Sequence, residues 1–231
     1  MPRENSHTAA QELTIQLGKV ALKGSLTAPR HARAVVVFAH GSGSGRHSPR
    51  NIRVARTLQQ AGLATLLFDL LTVEEEIEDE LRAHLRFDIE MLAERLVGVT
   101  DWLVRRPSIN QSAVGYFGAS TGAAAVLIAA ARRAQKAGAV VSRGGRPDLA
   151  GPYLEQVCAP TLLIVGQRDE AVIDLNRDAM EGLRAEKRLE IVPNATHLFE
   201  EPGSLEHVAE LARDWFRQHL GLTEPRGVRV A

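Results

Sequence analysis

Ser120 stands between two glycines in Gly118-Ala119-Ser120-Thr121-Gly122. An apolar run precedes this segment and a helix-like run follows it. A serine on a sharp strand-to-helix turn has its hydroxyl exposed for covalent attack, and flanking glycines relieve the crowding of such a turn. The helix behind it points backbone N–H groups at developing negative charge. A hydroxyl is a weak nucleophile unless a base takes its proton, and the base needs an acid to orient it. For this motif the partners follow in the chain order Ser, Asp, His. The apolar segment Leu162-Leu163-Ile164-Val165 runs into Gly166-Gln167-Arg168-Asp169-Glu170, where Asp169 is the expected acid and Glu170 and Asp174 are its competitors. The segment Leu189-Glu190-Ile191-Val192 runs into a loop that carries His197, the expected base. The competing readings are a tight packing turn of small residues for the serine segment and a structural role for His197.

A second glycine cluster, His40-Gly41-Ser42-Gly43-Ser44-Gly45, follows an earlier apolar run. Alternating glycines let a backbone turn sharply and present N–H groups to an anion. A nucleotide phosphate loop would need a Lys-Ser/Thr pair after the glycines, and a dinucleotide fingerprint would need a different glycine spacing. The expected role is therefore an oxyanion site facing Ser120, with the N–H of Thr121 and one N–H near Ser42 as donors. His40 reads as a structural residue that fixes the loop. His40 and His47 have no third ligand at metal spacing, so no metal is expected, and no cofactor.

Cations fall in the same loops. Arg46 lies in the glycine loop, Arg143 and Arg146 lie in Ser142-Arg143-Gly144-Gly145-Arg146, and Arg168 precedes the expected acid. They read either as solvated or carboxylate-paired residues, or as a clamp for a carboxylate or phosphate on a small anionic substrate. Arg143 is the first choice for such a clamp, since it lies closest to a strand end.

These residues need elements to position them. Alternation at 13–17 and 20–26 predicts a β-hairpin or edge-strand pair. Short apolar runs at 34–39, 63–68, 113–117, 139–141, 161–165 and 189–192 predict strands buried on both faces. Between them, 51–60, 84–104, 121–137, 176–185 and 204–219 show helical spacing. Strand alternating with helix predicts an α/β domain with a mostly parallel sheet. The acidic run 72–80 reads as a solvated loop or helix start, or as shading for a substrate entrance. The interval 69–111 is expected to be mostly one helix, which leaves no room for a large cap.

The chain has 231 residues, 28 basic and 28 acidic, with 45% hydrophobic and 24% charged residues. Those values suit one globular domain, expected at 12–220 between tails at 1–11 and 221–231. Zero net charge gives no reason to expect nucleic acid or an anionic membrane as partner. The start of the chain lacks the apolar core of a signal peptide, and the most apolar stretch, 119–131, is too short to span a bilayer. One cysteine, Cys158, excludes an internal disulfide and suits a reducing cytoplasm.

The ordered segments HGSGSG, GASTG, VGQRD and ATH together resemble the α/β-hydrolase superfamily. The compact plan is similar to the dienelactone hydrolase family, and to hydrolase domains sometimes fused to phosphoribosyltransferases. The resemblance implies an eight-stranded, mostly parallel sheet flanked by helices, without a large cap. It also implies Ser120 as nucleophile, Asp169 as acid, His197 as base and the Gly41 to Gly43 loop as oxyanion site. Dienelactone hydrolases proper use a cysteine where this chain has Ser120, which points away from dienelactone itself. The expected activity is cleavage of a small ester, thioester or lactone through an acyl-enzyme. The alternatives are a small-molecule binding module without turnover and a structural interaction protein.

Overall fold

The computed structural model describes residues 9–106 and 113–221. The expected tails fall largely outside these residues, and the first strand takes in Gln11. The chain runs β1 (Gln11–Leu17), β2 (Val20–Thr27), β3 (Ala34–Ala39), α1 (Pro49–Gln60), β4 (Ala64–Phe68), α2 (Val73–Arg82), α3 (Ile89–Val104), β5 (Ala113–Ala119), α4 (Thr121–Arg132), β6 (Ala137–Arg143), β7 (Thr161–Gly166), α5 (Glu170–Gly182), β8 (Lys187–Val192) and α6 (Ser204–His219). The eight strands form one sheet in the order β1-β2-β4-β3-β5-β6-β7-β8. The β1–β2 and β2–β4 pairs are antiparallel. The pairs from β4 through β3, β5, β6 and β7 to β8 are parallel. This is the α/β-hydrolase fold.

Continuous apolar runs become central strands because both faces of the sheet are covered. In β3, Val35, Val37 and Ala39 join a core cluster with α3 and α4, while Ala34, Val36 and Phe38 join one with α1 and α6. All six residues are buried. Each large apolar side chain so buried contributes roughly 1.5–3 kcal/mol. Helix α4 is buried from Thr121 to Ala130. It can sit this deep because its residues are small and apolar, and its depth fixes the turn that precedes it.

Four helical expectations shift. The segment 84–104 is a 3-10 turn (Leu85–Phe87) followed by α3, which starts where the Asp88 side chain accepts from Met91 N at 3.0 Å. The helix expected at 121–137 stops at Arg132, because β6 starts at Ala137. The helix expected at 176–185 begins at Glu170, directly behind Asp169. The acidic run forms α2, whose start carries a reciprocal cap between Thr72 and Glu75. A 3-10 segment (Pro147–Gln156), kinked at Gly151, had no counterpart in the sequence reading. Helix α2 escapes a periodicity search because its apolar residues face outward: Val73, Ile77 and Leu81 are 58%, 60% and 85% exposed. It is held through polar atoms instead. Arg95 of α3 donates from two nitrogens to the Glu75 carboxylate at 2.6 and 2.5 Å, and to Leu70 O at 2.8 Å.

Among the described residues, the interval between β4 and β5 thus holds two helices and a turn, and no cap domain. No described helix is long and apolar enough to cross a membrane.

Candidate active site

Ser120 has φ 51° and ψ −124°, an uncommon backbone conformation for a residue with a Cβ. Surrounding bonds hold it there. Its N–H donates to Arg143 O at 3.2 Å, and its carbonyl accepts from Ala123 N and Arg146 N at 3.1 Å each. The neighbouring glycines permit the close approach. A Cβ on Gly122 would lie 2.5 Å from His40 O, and one on Gly118 would lie 2.5 Å from the Ala123 Cα. The turn therefore locks the end of β5 against the loop after β3 and against the end of β6.

His197 Nδ1 and Asp169 Oδ2 are 2.6 Å apart. Among the described residues no hydrogen bond joins Glu170 or Asp174 to the imidazole, so the carboxylate that meets His197 is that of Asp169. One backbone bond and one backbone-to-side-chain bond stitch the two loops together. Arg168 N donates to Ala195 O at 2.9 Å, and Asn194 N donates to Gln167 Oε1 at 2.9 Å. A Cβ on Gly166 would sit 2.4 Å from Ala195 O. Glu201 holds the turn from below, with both carboxylate oxygens 3.1 Å from Thr196 N. Backbone N–H groups and the Thr196 hydroxyl keep the Glu201 carboxyl below its usual pKa. The His197 ring packs on Gly144, where a Cβ would meet Nδ1 at 3.5 Å. Arg143 and Gly144 thus lie between Ser120 and His197. The Ser120–His197 hydrogen bond expected of the sequence is not formed among the described residues. Such contacts are often long before a substrate is seated.

The glycine loop lies against the serine turn, where a Cβ on Gly41 would be 3.0 Å from Ser120 Cβ. Thr121 N heads α4. Ser42 N donates to Thr121 Oγ1 at 3.2 Å, and the two hydroxyls are 3.0 Å apart. The two expected oxyanion donors are therefore adjacent, but the Ser42 N–H is engaged by the Thr121 hydroxyl. His40 fixes the loop. Its Nε2 accepts from Leu70 N at 3.0 Å, which leaves the proton on Nδ1, 3.0 Å from Gly41 O. Burial pushes the His40 pKa below the usual value, so the ring is neutral.

The three arginines separate. Arg46 pairs with the Asp69 carboxylate and Arg146 makes two bonds to Asp148, at 2.9 and 2.8 Å. Neither presents a free fork, because a nearby carboxylate outcompetes water for a guanidinium. Arg143 is different: it is 7% exposed, and its Nε and Nη1 are buried without a partner. The sequence reading did not single out Arg86, whose guanidinium is paired with the buried Asp79. A cavity of about 310 Å3 adjoins the glycine loop, with Ser42, Thr121, Leu70, Leu71, Leu92 and Glu76 in its walls. The acidic helix α2 thus borders the cavity.

The dienelactone hydrolase family model matches residues 22–222. The chain belongs to the dienelactone hydrolase family. A crystal structure of a dienelactone hydrolase from Anabaena variabilis is 59% identical to this family member, covers 91% of its chain and 99% of its own, and has a TM-score of 0.89. A lidless α/β serine hydrolase from Xanthomonas campestris shares the fold at 22% identity and a TM-score of 0.71, covering 94% and 98% of the two chains. Two Mycobacterium tuberculosis proteins, provisionally named phosphoribosyl transferases, are 57% identical over 217 residues. That match takes in 94% of the present chain and 48% of theirs, so the chain spans about half the length of these curated relatives.

Proposed function

We propose that this hydrolase cleaves a small ester, thioester or lactone through an acyl-enzyme formed on Ser120. The observation that carries the reading is the 2.6 Å contact between His197 Nδ1 and Asp169 Oδ2, in a loop facing a serine on a constrained turn. Ser120 Oγ attacks the carbonyl carbon and its proton passes to His197 Nε2. Asp169 keeps the imidazole in the tautomer that leaves Nε2 able to accept, and it stabilises the imidazolium. The oxyanion is held by Thr121 N–H and by Ser42 N–H, which a χ1 rotamer change of the Thr121 side chain releases. Collapse expels the leaving group, protonated by His197, and water then cleaves the acyl-enzyme through the same base. The lone Cys158 suits the cytoplasm. The transferase name belongs to proteins about twice as long, and we assign hydrolysis to the unit spanned here.

The test is fluorophosphonate labelling together with turnover of short p-nitrophenyl esters. Wild type should label and turn over. Ser120→Ala should not label and should lose roughly a thousandfold or more in kcat. If wild type neither labels nor cleaves any short ester, the hydrolytic role of Ser120 is wrong and a binding module takes its place.

A further inference from the structure

The turn Arg143-Gly144-Gly145-Arg146 lies where the parts of the site meet. Arg143 O accepts from Ser120 N at 3.2 Å and Arg146 N donates to Ser120 O at 3.1 Å, so the two ends of the turn clasp the serine. Gly144 N donates to Ile164 O of β7 at 2.7 Å, and the His197 ring packs on Gly144. Gly145 is buried against α4, where a Cβ would lie 2.5 Å from Ala123 Cβ. The Gly145 carbonyl takes its hydrogen bond from outside the turn. Among the described residues its donor is Asn176 Nδ2, at 3.0 Å.

Asn176 lies on α5, the helix that begins directly behind Asp169. The buried face of that helix is Val172, Ile173, Asn176 and Ala179, and Asn176 is 0% exposed. An amide on an otherwise apolar face costs free energy unless its polar atoms are met. Nδ2 donates to Val172 O at 2.7 Å as well as to Gly145 O. Both partners are carbonyls, which only accept, so the orientation of the amide is fixed. Oδ1, by contrast, is buried without a partner. A leucine would fill this position and leave no polar atom unmet. Packing therefore does not account for Asn176, and its bond to Val172 is internal to its own helix. What remains is the bond to Gly145 O. It joins residues 31 positions apart and ties the helix behind the acid to the turn between Ser120 and His197.

We propose that Asn176 is a positioning residue for the reaction, whose bond to Gly145 O holds the turn after β6 where Ser120 and His197 come into line once substrate is seated. The inference rests on the hydrolase reading. Asn176 acts through the turn and not on the reacting atoms. Without its bond, Gly144 shifts against the imidazole, and Arg143 O and Arg146 N shift against Ser120. A misplacement of about 1 Å costs up to roughly a hundredfold in rate.

Two variants separate the bond from the packing. Asn176→Leu keeps the side-chain bulk and removes both donated bonds. Asn176→Ser keeps a hydroxyl that can donate to Val172 O within the helix but is too short to reach Gly145 O. In each, kcat on p-nitrophenyl acetate should fall about ten-fold or more while KM stays within about two-fold. A role in stability alone would lower the Tm and leave the kcat of folded protein unchanged. A second readout needs no turnover. The His197 Nδ1 proton, which faces Asp169, is followed by NMR in the substrate-free protein, and its resonance should shift or broaden in both variants. Should Asn176→Leu fail to fold, Asn176→Ser carries the test. Wild-type kcat in a folded variant, or a loss confined to KM, overturns the proposal. Should wild type take no fluorophosphonate label, the hydrolase reading fails on its own. The positioning of the imidazole then stands on a shifted Nδ1 proton resonance and falls on an unchanged one.

Discussion

In the proposed mechanism Ser120 is asked for two things that conflict. Its hydroxyl must stand clear of the strand, and its backbone must adopt φ 51°, which favours glycine. Residues held in such regions cost about 1–3 kcal/mol each and persist only when their surroundings over-determine them. Here three backbone hydrogen bonds do so. Ser120→Ala and Ser120→Gly should therefore differ in stability while both being inactive. Ser120→Gly relieves the strain and should unfold about 1 kcal/mol later than Ser120→Ala. Thermal melts of the two variants read the difference directly, and a glycine variant no more stable than the alanine one would show that the turn is not strained.

The elements that carry the site are held together by approaches that only a missing side chain allows. Gly166 closes β7, and the backbone of the His197 loop crosses it with Ala195 O at 2.4 Å and Thr196 O at 2.6 Å from where a Cβ would be. These are backbone atoms, so the loop must move as a unit to make room. Gly166→Ala should push His197 away from Asp169, cutting kcat/KM by at least about ten-fold and costing roughly 1–3 kcal/mol of stability. The measurement is ester kinetics beside a melt. A variant that loses stability but keeps kcat/KM would mean that the loop accommodates the methyl without displacing His197. Helix α2 makes the opposite case. It is tied down by a cap and by the Glu75–Arg95 pair while its apolar stripe stays exposed.

Neutral His40 ties two segments of the fold together. The ring joins the loop after β3 to the segment after β4, accepting at one nitrogen and donating at the other. Burial lowers its folded pKa below the unfolded value of about 6.5. The unfolded chain therefore binds the proton more readily. The stability that His40 contributes is complete above pH 6.5 and is lost as pH falls below it, through the lowered folded value. Each pKa unit of that depression corresponds to about 1.4 kcal/mol. The Tm of wild type should fall between pH 7.5 and 5. His40→Gln should start lower and fall less steeply over the same range. Parallel Tm curves for the two proteins would place the pH sensitivity elsewhere.

The order of the strands, most of the helices and the sharp turn at Ser120 were legible in the sequence, because each depends on local rules. Runs buried on both faces of a parallel sheet are continuously apolar, and a serine turn needs small residues beside it. The pairing partner of each charge was not legible. Arg46, Arg143 and Arg146 are the same residue type in similar glycine-rich loops, yet two lie beside carboxylates and one lies enclosed with no acceptor among the described residues. Helix α2 stayed open between a loop and a helix start for a related reason. Its apolar residues face outward, and the contacts that hold it join residues twenty positions apart in the chain. Burial pattern follows from sequence period, whereas the distance between two charges remote in the chain exists only after the sheet has brought their loops to one edge.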